Sequence, residues 1–302
     1  AKTMKITTLT KPSNTANGIN YYNRSVAVNI SMGDSHSGLK SWGYTAGTAV
    51  KDNKNYGEAA GTTDKNGNPT VNNVYSMNKK VTMAAGDTNY TNKDNPTMVE
   101  TEFEDNAGWT EKANEKYVID DKKPIIKVDW TSSANVMNEK YYKATRVAHI
   151  TVTERNFDAS KVAAEIKAAA GKAPALSDWS TEGGSGNGDD TVHVATIYYG
   201  PDDDYTFGIG VKDIAGNAAA GVDYANSLAP TKFTIDTTAP VISVAYDNNS
   251  ASNGNYYNNK RTATVTITEH NFDTSRIALS MTAQDAGKSV AAPAFGSWSD
   301  NG

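Results

Sequence analysis

The chain has 302 residues, no cysteine and a formal net charge of −5 at pH 7. Without cysteine it can form no disulfide, no cysteine-ligated zinc site and no cysteine nucleophile. The mild negative charge argues against nucleic acid as a partner, since nucleic-acid-binding proteins present basic patches, and no apolar run approaches the roughly 20 residues of a membrane helix.

The N-terminal part of the chain predicts a β unit with an unusual interior. Residues 1–11 are interpreted as an extended lead-in from a preceding unit, and the first unit is expected over residues 12–120. In it, residues 26–30 alternate apolar and polar side chains, which is the period of a half-buried strand. Residues 51–97 are rich in Asn, Asp, Gly and Thr and contain few strand-like runs, so this unit is expected to differ from its neighbours.

The first two units close with the same two motifs. The sequence Asp-X-Ala-Gly, at 105–108 and 213–216, predicts a tight turn in which Gly adopts a positive φ and Asp accepts hydrogen bonds from its own backbone. An apolar strand then ends in an aspartate four residues before a proline, and these prolines, Pro124 and Pro240, lie 116 residues apart. The repeat therefore has the length of a small domain, and the Asp-X-X-X-Pro segments predict short linkers.

The second unit, residues 121–236, contains the fullest set of predicted strands. Its short strands, separated by turn residues and without a long amphipathic helix, indicate an antiparallel β-sandwich. Tyr205 at the start of the penultimate strand is typical of the tyrosine corner of immunoglobulin-like sandwiches, and residues 183–190 predict a flexible loop. The predicted strands are 125–130, 145–154, 161–168, 191–199, 205–213 and 231–236, with a seventh near 176–179.

One of these segments, residues 161–168, has two interpretations, because its Ala, Glu and Lys residues are strong helix formers. The counterpart in the next unit favours a strand, since Ile277, Leu279 and Met281 recur there with a period of two. Residues 162–166 can follow the same alternation. We therefore predict a strand in this segment.

The third unit, residues 237–302, repeats the Glu-X-Asn-Phe-Asp motif of the second unit at an offset of 115 residues, from Glu154 to Glu269. It stops about half a sandwich short of the second unit. We interpret it as incomplete, and the chain as a monomeric fragment of a longer protein. An incomplete sandwich is expected to leave an open apolar face and unpaired strand edges.

The segment from Asp213 to Asn217, the segment from Ile235 to Pro240 and the Glu-X-Asn-Phe-Asp motif resemble the tandem bacterial Ig-like domains of very large Gram-positive cell-surface proteins, especially those of gut anaerobes. The resemblance covers residues 12–302. It implies an all-β fold of tandem antiparallel Ig-like β-sandwiches in an extracellular, cell-wall-anchored, non-enzymatic protein. Some proteins of this kind bind immunoglobulin as B-cell superantigens, which implies a host protein, such as an antibody variable region, as the partner.

Glu154 and Glu269 occupy matching strand ends and are the first candidates for chemistry. A buried carboxylate there could be catalytic, or could assist a Lys–Asn isopeptide bond of the kind that the resemblance to cysteine-free surface domains allows. The pattern favours the alternative, a solvated or turn-capping glutamate. The Asn and Asp residues that follow are expected to cap the same turn through backbone hydrogen bonds. These residues are Asn156, Asp158, Asn271 and Asp273.

Two groups of aspartates suggest calcium, which prefers clustered oxygen ligands. The run from Asp202 to Asp204 lacks the spacing of an EF-hand loop, so an exposed acidic turn before Tyr205 is favoured. The linker residues Asp120, Asp121 and Asp236 could hold an interdomain calcium, as cadherin-like linkers do. The sequence by itself nevertheless assigns no catalytic, cofactor-binding or metal-binding residue.

The five tryptophans offer a further candidate, a glycan-stacking platform, but the matching repeat positions of Trp179 and Trp298 favour a structural role. No Gly-X-Ser-X-Gly motif frames a serine nucleophile, and Ser35 beside His36 carries no motif. Two functions remain, a host-protein binding module whose contact residues stay undetermined and a structural stalk, with a glycan-binding adhesin as a further alternative. The other tryptophans are Trp42, Trp109 and Trp130.

Overall fold

The computed structural model describes residues 1–56, 74–86, 89–131, 136–183, 191–225 and 227–300. The chain forms two compact units, 1–235 and 236–302. The described residues are built from β-strands and short 3-10 turns, with no α-helix among them, which confirms the predicted all-β sandwich fold. Within the same ranges, no helix is long and apolar enough to cross a bilayer.

Residues 1–120, here called the first sandwich, contain a three-stranded and a six-stranded sheet. The three-stranded sheet has the order β1-β4-β7, and the six-stranded sheet has the order β2-β3-β9-β8-β5-β6. The strands are β1 (Lys2–Thr8), β2 (Asn14–Ala16), β3 (Ile19–Tyr22), β4 (Val26–Asp34), β5 (Leu39–Ala46), β6 (Val50–Asn55), β7 (Ser76–Met83), β8 (Thr97–Asp105) and β9 (Thr110–Ile119).

The core of the first sandwich begins from the alternation on β4. Val26, Val28, Ile30 and Met32 are buried, and the residues between them are half-buried, as the predicted period of two requires. They pack against apolar side chains of the larger sheet, including Phe103. The alternation therefore defines which face of this strand enters the core.

Two segments of the first sandwich differ from the sequence-based description. Residues 1–11 were placed in a lead-in, but Lys2–Thr8 pairs antiparallel with β4 from Lys2 opposite Asp34 to Thr8 opposite Val28. Residues 51–97 were expected to hold few strands, but β6 and β7 lie there, and β7 pairs with β4 over eight positions. The pattern of β7 is weak because Asn and Lys occupy its centre, at 78–80, and only Val81 and Met83 are buried.

Residues 121–235, here called the second sandwich, contain two five-stranded sheets. Their strand orders are β15-β16-β13-β10-β18 and β11-β12-β19-β17-β14. The strands are β10 (Ile125–Trp130), β11 (Val136–Met137), β12 (Tyr141–Tyr142), β13 (Arg146–Thr153), β14 (Val162–Ala168), β15 (Ser180–Glu182), β16 (Val192–Tyr199), β17 (Asp203–Val211), β18 (Val222–Ala225) and β19 (Lys232–Ile235).

Most predicted strands of the second sandwich are confirmed. The segment that resembled a helix forms β14, which pairs with β17 from Val162 opposite Val211 to Ala168 opposite Tyr205. Near residues 176–179 the structure has only a bridge from Leu176 to Ile197, and the strand follows as β15. The sequence missed the short strands β11, β12 and β18. Of the predicted loop 183–190, residues 184–190 lie outside the described ranges.

The tyrosine corner of the second sandwich is confirmed as a hydrogen bond. The hydroxyl of Tyr205, at the start of β17, donates to the backbone oxygen of Pro201 at 2.9 Å. The Tyr205 ring is buried and lies edge-on to Tyr199. The contact therefore fixes the connection between β16 and β17 to the core.

A fully buried arginine lies in the same core. The guanidinium of Arg146 stands over the rings of Trp130 and Tyr142 at 4.2 and 3.8 Å. It donates to the backbone oxygen of Ala229 at 3.1 Å and to the hydroxyl of Ser227 at 3.0 Å. Burial lowers the pKa of Arg146 to about 10. The arginine thereby holds the loop between β18 and β19 against the core.

The C-terminal unit, residues 236–302, contains two hairpin-like pairs, β20 with β21 and β22 with β23. The register of β20 and β21, from Val241 opposite Thr268 to Tyr246 opposite Ala263, repeats that of β10 and β13. Many of its apolar residues are exposed, Val241 by 64% and Ile242 by 63%. The strands are β20 (Val241–Tyr246), β21 (Ala263–Thr268), β22 (Ala283–Asp285) and β23 (Lys288–Val290).

Candidate metal centre at the junction of the two sandwiches

Three buried carboxylates meet where the first sandwich ends and the second begins. They belong to Asp120, Glu154 and Asp213, whose exposed fractions are 0%, 1% and 0%. One oxygen of each lies within 4.8 Å of the others. Asp120 directly follows β9 of the first sandwich, Glu154 directly follows β13, and Asp213 lies in the turn after β17. The cluster therefore needs both sandwiches.

Local backbone hydrogen bonds explain why the two residues of the second sandwich point into the cluster. Glu154 accepts from the backbone N–H of Asn156 through Oε1 at 2.7 Å, which turns the chain at the end of β13. Asp213 accepts from the backbone N–H of Asn217 through Oδ1 at 2.8 Å, and Gly216 adopts a φ of 95°. The predicted Asp-X-Ala-Gly turn is thus confirmed, and it presents its aspartate to the junction.

Two asparagine amides connect the sandwiches across this cluster. The Nδ2 group of Asn156 donates to Oδ2 of Asp120 at 2.8 Å and to the backbone oxygen of Thr91 at 2.9 Å. The Nδ2 group of Asn217 donates to the backbone oxygen of Asp120 at 2.8 Å and to Oδ2 of Asp213 at 2.7 Å. Both amide nitrogens therefore donate hydrogen bonds that link the two sandwiches at the cluster.

Arg155 and Tyr90 form a second contact beside the cluster. Arg155 donates to the backbone oxygen of Tyr90 at 2.6 Å, and its guanidinium lies 3.8 Å from the centre of the Tyr90 ring. The Tyr90 hydroxyl donates to Oε1 of Glu154 at 3.4 Å. Through these contacts the loop before β8 holds Glu154 in place.

Apolar side chains cover the other side of the junction. Ile214 and Ala215, in the turn of the second sandwich, pack with Tyr21 and Val118 of the first. The amide of Asn14 also donates to the backbone oxygen of Ile214 at 2.7 Å. The two sandwiches therefore share a packed interface, because polar and apolar contacts both cross it.

The electrostatics of the cluster favour added positive charge. Burial and, after it, the neighbouring charge of Asp213 raise the pKa of Asp120 to about 7. Burial also raises the pKa of Asp213. Among the described residues, no lysine or arginine forms an ion pair with either aspartate. Buried charges in proteins are paired with an opposite charge or coordinate a metal, and in the described part of the chain Asp120 and Asp213 do not have such an ion pair.

The donor set fits a hard divalent cation. Calcium binds six to eight oxygen ligands and accepts carboxylates, amide oxygens and backbone carbonyls in a flexible geometry. The carboxylates that could supply part of this set belong to Asp120, Glu154 and Asp213. Zinc fits less well, because its usual ligands are Cys and His. An open cavity of about 290 Å³ lies beside Glu154.

The opposite pole of the first sandwich provides an internal comparison. Asp34 and Asp105 are buried there at the positions that correspond to Glu154 and Asp213, and Asp34 accepts from the N–H of His36 at 2.7 Å. The ammonium of Lys2 lies 3.0 Å from Oδ2 of Asp105. Although burial opposes the shift, the N–H of the turn and the Lys2 ammonium lower the pKa of Asp105. At this pole an ammonium contacts the buried aspartate directly, whereas among the described residues neither Asp120 nor Asp213 forms such an ion pair.

The C-terminal unit repeats part of the junction geometry within itself. The Nδ2 group of Asn271 donates to Oδ2 of Asp236 at 2.9 Å, and the Asn271 backbone N–H donates to Oε1 of Glu269 at 2.9 Å. These contacts match those of Asn156 with Asp120 and Glu154. The contact between a linker aspartate and the Glu-X-Asn motif is therefore a property of the repeat.

Some of the candidate residues from the sequence lie in the carboxylate cluster, and others lie outside it. Glu154 caps its turn, which is one of the two alternatives that the sequence favoured, and it is buried instead of solvated because the first sandwich covers it. Asn156 reaches across to Asp120 instead of only capping. Asp158 caps the following 3-10 turn (Ala159–Lys161) through the N–H of Ser160, as expected. Asp121 lies outside the cluster and accepts from the N–H of Gly86 at 3.2 Å.

The other acidic and aromatic candidates are structural. Asp203 starts β17 and accepts from the N–H groups of residues 169–171, which fixes a loop. Trp179 packs edge-on against Phe157 at 5.1 Å, and Trp298 packs against Phe272 at 5.5 Å in the C-terminal unit. The structural role favoured for these tryptophans is thereby confirmed.

Sequence reasoning missed Asp213 and Asn217 as site residues. Both belong to a turn motif that is fully explained by its own backbone hydrogen bonds, so the pattern gave no reason to look further. The available signal was the recurrence of this turn beside the linker aspartate in the repeat. No protein-family model matches the chain, and no curated protein matches it in sequence.

Proposed function

We propose that the chain is a non-enzymatic spacer segment of a bacterial surface protein, in which a divalent cation, best calcium, locks two Ig-like sandwiches into one rigid body. The observation that carries this proposal is the buried carboxylate cluster, to which the first sandwich contributes Asp120 and the second contributes Glu154 and Asp213. A site assembled from both sandwiches links cation binding to the geometry of their junction.

The physical argument rests on charge. Three carboxylates within 4.8 Å of one another repel when ionised, and burial strengthens the repulsion because it removes water. A divalent cation among them reverses the sign of the interaction. Any ligand that binds only the closed junction stabilises it by an amount that grows with ligand concentration, about 3 kcal/mol at 100 times the Kd. Calcium would therefore stiffen the junction as well as stabilise it.

The proposal is tested by titrating the whole chain with calcium after treatment with a chelator. Isothermal calorimetry should show one strong site, and the thermal midpoint should rise with calcium. Asp213→Asn should weaken binding by at least about tenfold, since removing one charged ligand costs more than 1.4 kcal/mol. Asp121→Asn is the matched control, because this exposed linker carboxylate lies outside the cluster.

Small-angle scattering with and without calcium adds a readout of rigidity. A narrower distribution of interatomic distances in calcium, seen for the native chain and for Asp121→Asn but lost in Asp213→Asn, supports a locked junction. Equal calcium affinity for the native chain and Asp213→Asn would remove the basis of the proposal.

A second candidate function is binding of a host protein, such as an antibody variable region, through the second sandwich. The observation that favours it is Tyr198, which is 60% exposed on the outward face of β16, opposite Val147 on β13. Its ring lies against Gly200, where an added Cβ would come within 2.6 Å of it, so the side chain is supported from below. Exposed tyrosines with restricted freedom are common anchors of protein interfaces.

This candidate is tested with the whole chain and a panel of human antibodies that differ in variable-gene family. Tyr198→Ala should abolish retention, whereas Tyr75→Ala, which removes a partly exposed tyrosine of the first sandwich, should not. Retention of one antibody family whatever its antigen supports a framework contact. If the chain binds none of the antibodies, only the spacer function remains.

A further inference from the structure

The first sandwich carries an open groove on the outward face of its larger sheet. It has a volume of about 490 Å³ and extends over four consecutive strands, β6, β5, β8 and β9. This volume lies within the range of about 300–1,000 Å³ that is typical of small-molecule sites. The groove and the carboxylate cluster share no residue.

The missing side chain of Gly43 forms the deepest part of the groove. Along one row of the sheet, Asn53, Gly43, Glu102 and Lys112 lie opposite one another on β6, β5, β8 and β9. Neighbouring strands are about 4.8 Å apart, so Asn53 and Glu102 stand roughly 10 Å from each other across the glycine. That width accommodates one ring of a small ligand between an amide and a carboxylate.

A second row of polar side chains closes the groove along the strands. Lys51, Thr45, Glu100 and Asn114 lie opposite one another in the same strand order, and all four are exposed. The intervening residues Tyr44 and Thr101 are buried, which places the two rows on the outward face. The wall of the groove is therefore made of one hydroxyl, two amides and four charged groups.

The charges of the two rows cancel. Two lysines and two glutamates face the groove, and Lys112 forms an ion pair with Glu102 at 2.9 Å. Asp52 also lines the groove, from the alternate face of β6, and its charge is balanced by an ion pair with Lys79 at 3.2 Å. A lining with no net charge does not select a charged ligand, and the scarcity of apolar side chains does not favour a hydrophobic one.

The strand that builds the groove is peculiar to the first sandwich. In the second sandwich, β14, β17 and β19 correspond to β5, β8 and β9, and β14 is the edge of its sheet. Within the described ranges, the second sandwich has no strand in the position of β6, which supplies Lys51 and Asn53. One unit thus has a surface that its neighbour lacks, as expected of a binding surface and not of a uniform spacer.

We propose that this groove binds a neutral saccharide, with one sugar ring over Gly43. Vicinal hydroxyl groups of a sugar match the paired oxygens of a carboxylate and the donor and acceptor of an amide, which Glu102 and Asn53 present on the two sides. Thr45 and Glu100 offer further partners along the ring. The ion pair with Lys112 fixes the carboxylate of Glu102 and thereby limits the rotamer freedom that is lost on binding.

The decisive variant fills the groove without disturbing the strand. A Cβ added to Gly43 would lie 3.6 Å from Cβ of Asn53, which is ordinary contact, and the backbone does not need a positive φ there. Gly43→Val should therefore fold, since β-branched residues are favoured in strands. Gly208→Val on β17 is the matched control, because its added Cβ would meet Cβ of Glu165 at 3.7 Å in the same kind of environment.

The whole chain is tested by saturation-transfer NMR and calorimetry against neutral oligomers of hexoses and N-acetylhexosamines, with sialylated oligomers as the acidic comparison. We expect the native chain and Gly208→Val to bind a neutral oligomer, and Gly43→Val and Glu102→Gln to bind it at least about tenfold more weakly. Thermal midpoints verify that each variant is folded, and Asn53→Ala replaces Gly43→Val if the latter is not.

Three results would overturn the proposal. The first is no binding of any neutral oligomer at about 10 mM, which is weaker than specific recognition requires. The second is equal binding by the native chain and a folded Gly43→Val variant. The third is binding of the sialylated oligomers alone, because it would require a net positive groove.

Discussion

Replacing Asp120 by asparagine should stabilise the chain in chelator and destabilise it in calcium. In the absence of a cation, the structure raises the pKa of Asp120 from 3.8 to about 7. At 1.36 kcal/mol per unit, ionising this carboxylate in the folded state costs about 4 kcal/mol above pH 7. Asparagine carries no charge and removes this cost.

Part of the gain is lost through hydrogen bonding. Asp120 accepts from Asn156 through Oδ2 and from the backbone N–H of Lys122 through Oδ1. An asparagine can accept at only one of these positions, so about 1 kcal/mol is lost. The net effect expected in chelator at pH 8 is therefore a stabilisation of about 3 kcal/mol.

Calcium should reverse the order of stability. The native chain gains about 4 kcal/mol when calcium is present at about 1,000 times its Kd, which exceeds the advantage of about 3 kcal/mol that the variant has in chelator. The variant lacks one ligand and loses most of that gain. Urea unfolding of both chains at pH 8, in chelator and in calcium, measures the four free energies of unfolding. Asp120→Asn should be the more stable protein in chelator and the less stable in calcium.

The same experiment can refute the reasoning. If Asp120→Asn is the less stable chain in chelator as well, then ionising Asp120 in the folded state costs little free energy, and repulsion among the three carboxylates does not destabilise the native chain. If the order is the same in calcium as in chelator, no cation binds there. Asp121→Asn should change neither free energy by more than about 0.5 kcal/mol, because exposed substitutions have small effects.

Three further predictions follow from single contacts. In chelator, the stability advantage of Asp120→Asn should shrink as pH falls from 8 towards 4. The raised pKa of Asp120 means that, between pH values of about 7 and 3.8, the folded native chain binds a proton that the unfolded chain does not. His193, whose pKa is lowered by burial, is present in both chains, so its contribution cancels in the difference. Tyr205→Phe should lower the free energy of unfolding by about 0.5–1.5 kcal/mol through loss of the bond to Pro201, and an unchanged urea midpoint would contradict the corner. Intact mass spectrometry should give the mass of the unmodified sequence, since the amides of Asn156 and Asn217 bond to oxygens in the junction; a deficit of about 17 Da, the mass of ammonia, would reveal an isopeptide bond.

Local patterns predicted the strands whose two faces differ. Residues 125–130 form β10 as expected because apolar and polar side chains alternate through it, and the strand has one buried face. The sequence does not predict the edge strand β7, because Asn and Lys occupy its centre. Its position is set by its antiparallel pairing with β4. Strands of two residues, such as β12, have too few positions to show any period.

The candidate metal centre could not be predicted for a different reason. Each of its carboxylates has a sufficient local explanation, as a strand end, a turn cap or a linker residue. They lie 34 and 59 residues apart in the chain, from Asp120 to Glu154 and from Glu154 to Asp213. The packing of Ile214 and Ala215 against the first sandwich, together with the hydrogen bonds of Asn156 and Asn217 to Asp120, brings the three together. Burial, which makes the cluster electrostatically unusual, is a property of that packing.

Charge compensation distinguishes the two poles of the repeat. At the N-terminal pole of the first sandwich, the ammonium of Lys2 pairs with Asp105, and the pKa of that carboxyl falls although it is buried. At the junction, Asp120 and Asp213 stand in the corresponding environment and their pKa values rise. The backbone turns are alike at both poles, so the turn does not cause the difference. Burial is the first cause of the raised pKa values at the junction, and among the described residues neither Asp120 nor Asp213 forms an ion pair like that of Lys2 with Asp105. A divalent cation held by the three carboxylates would offset the free-energy cost of ionising them in that buried position.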